Sequence, residues 1–154
     1  MISIEVIDRK HCEALSLIVS TDTELARHLY GQGKAPAPTS EYEFFEQCKR
    51  WEHKNGGFCY AVLLDGVAIG TASYVPIRGG ETAGVGFYIS SKYWGKGYGT
   101  ELLNELKNTL KEKGFKYITG NMPKSNIASK RVFEKCGAKF KECGDRVYSV
   151  IELQ

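Results

Sequence analysis

Ile89-Ser-Ser-Lys-Tyr-Trp94-Gly95-Lys96-Gly97-Tyr98-Gly99-Thr100-Glu-Leu102-Leu103-Asn-Glu-Leu106-Lys-Asn-Thr-Leu110 is the stretch that decides the fold. Ahead of it, Val85, Phe87 and Ile89 alternate as the buried face of a strand does. Within it, glycine occupies every second position from 95 to 99, and then Leu102, Leu103, Leu106 and Leu110 recur at helical spacing. Lys111, Lys113 and Gly114 follow, a cationic last turn and a glycine stop. The order is strand, glycine loop, helix N-terminus. Glycine admits positive φ and close approach of a ligand to the backbone, while the first helical turn offers unpaired N–H groups at the positive end of the helix dipole. Such a junction suits an anion, phosphate above all.

Three other readings of the glycines compete. A P-loop needs Gly-x-x-x-x-Gly-Lys followed by Ser or Thr, whereas Lys96 lies between the first two glycines. The dinucleotide fingerprint Gly-x-Gly-x-x-Gly needs glycine where Thr100 stands. A plain connector rarely spends three glycines, because each costs backbone entropy.

The 154 residues suffice for one domain, 1–154, and a chain of that length buries roughly 70% of its unfolded surface. Hydrophobic residues make up 42%, charged residues 25%, and the net charge is +3, the balance of an ordinary soluble protein. No basic run marks a nucleic-acid surface, and no window approaches the roughly 18 apolar residues of a membrane span. The five cysteines, Cys12, Cys48, Cys59, Cys136 and Cys143, show no Cys-x-x-Cys spacing, so neither a disulfide framework nor a metal site is supported. The N-terminus lacks the charged and apolar regions of a signal peptide, and a cytoplasmic location is expected.

Taken in order, Ile2, Ile4 and Val6 alternate as a strand, and Asp8 is placed to cap a helix from Lys10 to about Ser20. Leu25, Ala26 and Leu29 mark a short second helix ending near Gly31, and 33–38 is a turn or loop with two prolines. Ser40 with Glu43 reads as a capping box for a third helix. Strands are expected over 58–64 and 67–75 around the Asp65-Gly66 turn, then a loop over 76–80 and a strand over 82–89. After the long helix come a strand over 115–122, a helix capped by Ser125 or Asn126 and stopped by Gly137, and a hairpin of 139–143 with 146–153. The order β-α-α-α-β-β-β-α-β-α-β-β defines an α/β domain on a mixed, mostly antiparallel sheet of about seven strands flanked by helices.

Trp94-Gly-Lys-Gly-Tyr-Gly-Thr-Glu after a strand, followed some thirty residues later by Asn126-Ile-Ala-Ser129-Lys-Arg-Val-Phe133-Glu-Lys-Cys-Gly137, resembles the GNAT N-acetyltransferase superfamily. The wording is similar to that of ribosomal-protein N-terminal acetyltransferases, and the element order matches over nearly the whole chain. The resemblance implies acetyl-CoA as co-substrate and a primary amine as acceptor. The amides of Gly95, Lys96, Gly97, Tyr98, Gly99 and Thr100, beside Trp94, would cradle the pyrophosphate. The pantetheine arm would lie in a gap between strands 82–89 and 115–122, along Phe87, Tyr88 and Ile89, and would be held by Asn126 with Ser129 beside it. Gly84 and Gly86 suit a bulge in such a strand. The backbone amide of Tyr88, or of Ile89, would polarise the thioester carbonyl.

The chain also departs from the pattern. Where many members carry a Tyr as general acid stands Phe133, and where a Glu often serves as base stands Gly84, with Glu81 three residues upstream as the remaining carboxylate. His11, His28 and His53 fall on the three early helices, expected on the far side of the sheet from the motifs. Those helices and the 31–39 loop are expected to wall the acceptor pocket; Tyr30, Tyr42, Phe44 and Trp51 lie nearby, but aromatics at helical spacing are more often core and none is assigned to substrate. A non-catalytic acyl-CoA-binding or regulatory module is the competing class, and a homodimer is neither required nor contradicted. With the usual base missing, the acceptor should be an amine of low pKa. At pH ~7.4 an α-amino group of pKa ~7.8 is about a quarter neutral, and a lysine of pKa ~10.4 about one part in a thousand. Kinetics on matched peptides at neutral pH should give a clearly higher kcat/KM for N-terminal amines than for lysine side chains, and equal values would contradict this reading.

Overall fold

A computed structural model describes residues 1–77 and 79–154; Arg78, inside the expected 76–80 loop, lies outside the described residues. The strands are β1 (Ile2–Val6), β2 (Phe58–Leu64), β3 (Val67–Ile77), β4 (Thr82–Ile89), β5 (Tyr117–Pro123), β6 (Lys139–Cys143) and β7 (Arg146–Glu152). The helices are α1 (Arg9–Thr21), α2 (Thr23–Tyr30), α3 (Glu41–Asn55), α4 (Tyr98–Glu112) and α5 (Ile127–Lys135). A single 3₁₀ turn, Ser91–Tyr93, stands between β4 and α4. The strands form one sheet in the order β1-β2-β3-β4-β5-β7-β6, in which only β4 and β5 run parallel.

Both faces are covered, which is why β2 reads as a continuous apolar run and not as an alternation. Tyr60 and Val62 point to one face, against Leu102, Leu103, Leu106 and Leu110 of α4. Cys59, Ala61 and Leu63 point to the other, against Cys12 and Leu15 of α1 and Phe44 of α3. The four α4 leucines are wholly buried, so this amphipathic helix anchors the larger core.

Local signals act as their chemistry requires. Asp8 caps α1 in a reciprocal box, with its backbone N–H donating to Nδ1 of His11 at 3.0 Å. Ser40 accepts from the Glu43 N–H at 3.1 Å, but the Glu43 carboxylate lies 3.7 Å from Arg50, so only half of the expected box forms.

Strand β3 outlasts its expected end and includes Pro76, which lies opposite Ala83. Ser90 N–H donates to Ile69 O, and the unbroken β3–β4 register therefore assigns the odd residues of β3 to bonds with β4. Pro76 thus faces the other edge, past the point where β2 ends at the Phe58–Tyr74 pair, and no ladder bond is missing. The expected bulge at Gly84 and Gly86 is absent, since β3 and β4 stay in register from Gly70–Ile89 to Ile77–Thr82. The register shift lies between β2 and β3 instead, at Val62/Leu63.

Gly120 of β5 is fixed by close approach. A Cβ there would stand 2.5 Å from Cζ of buried Phe133, and the Ser149 hydroxyl bonds the N–H and C=O of the same residue. Gly120→Ala should overpack this contact and lower stability by about 1–3 kcal/mol, read as a reduced denaturation midpoint with unchanged m-value.

Candidate active site

The site starts where the sheet comes apart. β4 and β5 pair only at Thr82–Tyr117, Ala83–Ile118 and Gly84–Thr119, while β5 stays paired to β7 over its whole length. The alternation fixed by the Ser90–Ile69 bond turns the N–H and C=O of residues 82, 84, 86, 88 and 90 toward β3. Residues 83, 85, 87 and 89 face the other way. Beyond Gly84 the amides of Phe87 and Ile89 therefore meet open space where a β5 partner would be. The amide expected from Tyr88 is engaged with β3, and the free donor at this point is Ile89.

The gap opens into a cleft of about 710 Å³. Phe87, Tyr88 and Ile89 form its floor, Asn126 and Ser129 one wall, and Leu25 and His28 of α2 the other. Burial pushes the Tyr88 phenol far up, against a smaller opposing effect of its hydrogen bond with Thr71. Trp94 and Gly99 also line the cleft, whereas Gly95, Lys96, Gly97, Tyr98 and Thr100 lie on the turn leading from it into α4.

That turn is built for backbone exposure. Gly95 and Gly97 have φ of 76° and 84°, and the space beside each is open. Gly97 is the N-cap of α4 and brings no side chain, so the first helical N–H groups have no side-chain acceptor. Gly99 has a different reason: a Cβ there would stand 3.2 Å from Val132 of α5. Glu101, in the same first turn, directs its carboxylate to the Ile2 N–H of β1.

Asn126 is the N-cap of α5, its Oδ1 accepting from the Ser129 N–H at 3.1 Å. With the oxygen so held, the amide Nδ2 is turned to α2, 3.4 Å from His28 Nε2. His28 also meets Trp94 edge-on at 5.5 Å, and the Trp94 indole donates to Ile89 O at 2.8 Å. The expectation that all three histidines lie away from the motifs therefore fails for His28. No motif marks this residue; it comes to the cleft because Asp22 pins the start of α2.

Asp22 accepts from Leu25 N–H as the α2 cap, and from the Ser91 N–H and hydroxyl at 2.8 and 2.6 Å. Of the early elements, α2 and the start of the following loop line the cleft through Leu25, His28, Gly31 and Gln32, whereas none of the nearby aromatics does: Phe44 and Trp51 pack with α1, and Tyr30 and Tyr42 are exposed. Glu81 is outside the cleft too, pairing with Lys116 at 3.2 Å on the surface. It stands roughly 20 Å up the strand from Tyr88, too far to serve as a base there. Phe133 is stacked on Phe87 with its ring tip toward Gly120, so that position offers no acid.

The profile of the Acetyltransferase (GNAT) domain matches residues 3–139. The chain belongs to the GNAT acetyltransferase family. Among solved structures, RimL, a ribosomal L7/L12 alpha-N-protein acetyltransferase in complex with coenzyme A, matches at a TM-score of 0.81 and 16% identity, over 99% of this chain and 94% of its own. RimJ of Mycobacterium smegmatis, in complex with CoA-disulfide, matches at 0.83 and 17%, over 98% and 81%. The aminoglycoside acetyltransferase AAC(6')-Ib, in complex with coenzyme A and kanamycin, matches at 0.80 and 16%, over 99% and 95%. No curated protein sequence gives a significant match. These likenesses establish the GNAT fold. Among the described residues no group of three His, Cys, Asp or Glu could hold a metal ion, and no helix is long and apolar enough to cross a membrane.

Burial acts to raise the Asp22 carboxyl, but the hydrogen bonds from Ser91, Leu25 and Ser90 outweigh it and hold the group below the usual carboxylate range. A lowered folded value means that this stabilisation is complete above the unfolded pKa near ~4 and is lost as pH falls through the folded value. Asp22→Ala should therefore cost roughly 1–2 kcal/mol at neutral pH. Melting curves should also show the gap between variant and wild type closing as pH drops below ~4.

Proposed function

We propose that this protein is an acetyl-CoA-dependent N-acetyltransferase that moves acetyl directly to a primary amine, either a peptide or protein N-terminus or a small-molecule amine. The observation that carries the reading is the parting of β4 from β5, which leaves strand amides free beside Asn126 and in line with a bare helix N-terminus. An acyl pantetheine is long, narrow and amide-bearing, and a half-paired strand edge meets its carbonyls and N–H groups as a neighbouring strand would. The cleft, about 710 Å³, is large enough for that arm with an acceptor beside it.

In this reading the amides of Gly95 to Thr100 hold the pyrophosphate, helped by the dipole of α4. Phe87, Ile89 and Asn126 hold the arm. The Ile89 N–H supports negative charge developing on the thioester oxygen, and the Ser129 hydroxyl, on the cleft side of α5, serves the departing thiolate. Acetyl-CoA supplies the activated acyl group; the protein contributes alignment and amide polarisation. The similarity to RimL and RimJ supports an N-terminal amine among the candidate acceptors.

A non-catalytic acyl-CoA-binding module draws on one specific observation, the absence of Tyr and Glu at the Phe133 and Gly84 positions. Turnover on a panel of N-terminal peptides and small amines, followed as free thiol, separates the two. Acetyl-CoA at ~100 times its Kd should add about 2.7 kcal/mol, a Tm rise of roughly 5–10 °C. Gly97→Val, forced to a φ that a β-branched residue resists, should lose most of that rise. No rise in the wild type would remove the basis for the proposal.

A further inference from the structure

Resting on the acetyltransferase reading, we propose that His28 is the general base that takes the acceptor amine's proton. The geometry begins at Asn126. Its Oδ1 is committed to the Ser129 N–H, so its Nδ2 is a donor, and the group it meets at 3.4 Å, His28 Nε2, is the acceptor. His28 is thereby held with its proton on Nδ1 and a lone pair on Nε2, directed to the wall of the cleft that carries Asn126. The residue is exposed, so a proton taken up there can leave to water.

Elimination points to the same residue. Among the described residues that line the cleft there is no carboxylate, lysine or cysteine. Arg27, the neighbour on α2, is bound to Glu24 at 2.6 Å, and a guanidinium does not give up its proton in a protein. From β4 comes the Tyr88 phenol, whose burial keeps its proton on, and from the turn after β4 comes Tyr93, also a phenol. The α5 side brings only the neutral Ser125, Asn126 and Ser129. The His28 imidazole alone among these side chains carries a basic nitrogen lone pair.

The same contact links the base to the co-substrate. If the pantetheine arm takes the Asn126 Nδ2 proton donor, the Nε2 lone pair of His28 is released to the acceptor. The step balances as follows. Nε2 takes one proton from the ammonium and passes it to water; the amine lone pair forms the C–N bond as the C–S bond breaks. The nitrogen then gives its second proton to water, and the thiolate takes one proton back from water and leaves as thiol, so that one proton is released in all.

The test compares wild type, His28→Gln and His28→Ala on the amine that gives the best wild-type turnover. The glutamine variant should lose about 100-fold or more in kcat/KM at pH ~7, and the loss should shrink as pH rises past the acceptor amine's own pKa, where the amine is neutral without help. KM for acetyl-CoA should not rise and the acetyl-CoA-induced Tm rise should not shrink, because removing His28 leaves the Asn126 donor free for the co-substrate, and added imidazole should restore part of the alanine variant's activity. A loss constant across pH, or one found in acetyl-CoA binding, would mean a structural role and overturn the base. So would ring ¹⁵N spectra of the wild type showing the proton on Nε2, a readout independent of how the variants fold. Acetyl-CoA binding without wild-type turnover on any amine would sink the enzyme reading itself, whereas turnover with an unaltered His28→Gln profile would sink only the base.

Discussion

The structure depends on an interruption of pairing between two parallel strands. β4 and β5 are held together at one end by three residue pairs and held apart at the other by different neighbours. β3 keeps β4 in register over its full length, and β7 does the same for β5. Each strand is thus held by the ladder on its far edge while its near edge stays unpaired beyond Gly84 and Thr119. Backbone amides that would ordinarily be consumed in a sheet therefore stay available at the centre of the domain.

Everything around the gap serves to hold it open and finish it. The Trp94 indole takes the Ile89 carbonyl, and Asp22 ties the start of α2 to Ser90 and Ser91 at the exit of the same strand. Asn126 closes the end of α5 and, with the other half of its amide, meets α2. Three elements far apart in the chain thus meet through these polar side chains, while the leucines of α4 set the glycine turn above them. Position comes from packing and orientation comes from hydrogen bonds.

Much of this was legible in the residues. The alternation at Val85, Phe87 and Ile89, the spaced glycines and the α4 leucines specify strand, turn and helix by local rules, and Asn126 as a cap needs only its neighbours. Tertiary facts were not legible. Pro76 reads as a strand breaker until it is known that β2 ends short of it and leaves that edge free. Which strand amides face the gap depends on one hydrogen bond between Ser90 and Ile69, and reading the sequence alone favoured Tyr88 over Ile89. His28 sits on a short helix next to its apolar face, and the tertiary anchoring of that helix, through Asp22 and the buried Leu25 and Ala26, brings it to Asn126. Glu81 looked near in sequence because an extended strand carries three residues about 10 Å, and it runs toward the paired end of the gap, not the open one.

The alternation along β4 has an evolutionary corollary. Phe87 and Ile89 present both their amides and their side chains to the places that need them because each stands an odd number of positions before the bond at Ser90, three and one. Losing or gaining one residue between Gly84 and Ile89 would turn the ladder inside out: the gap-facing amides would swing to β3, and Phe87 and Tyr88 would exchange faces of the sheet. This segment can therefore drift in residue identity but not in length, and insertions and deletions among descendants of the chain should collect in the loops on either side of it.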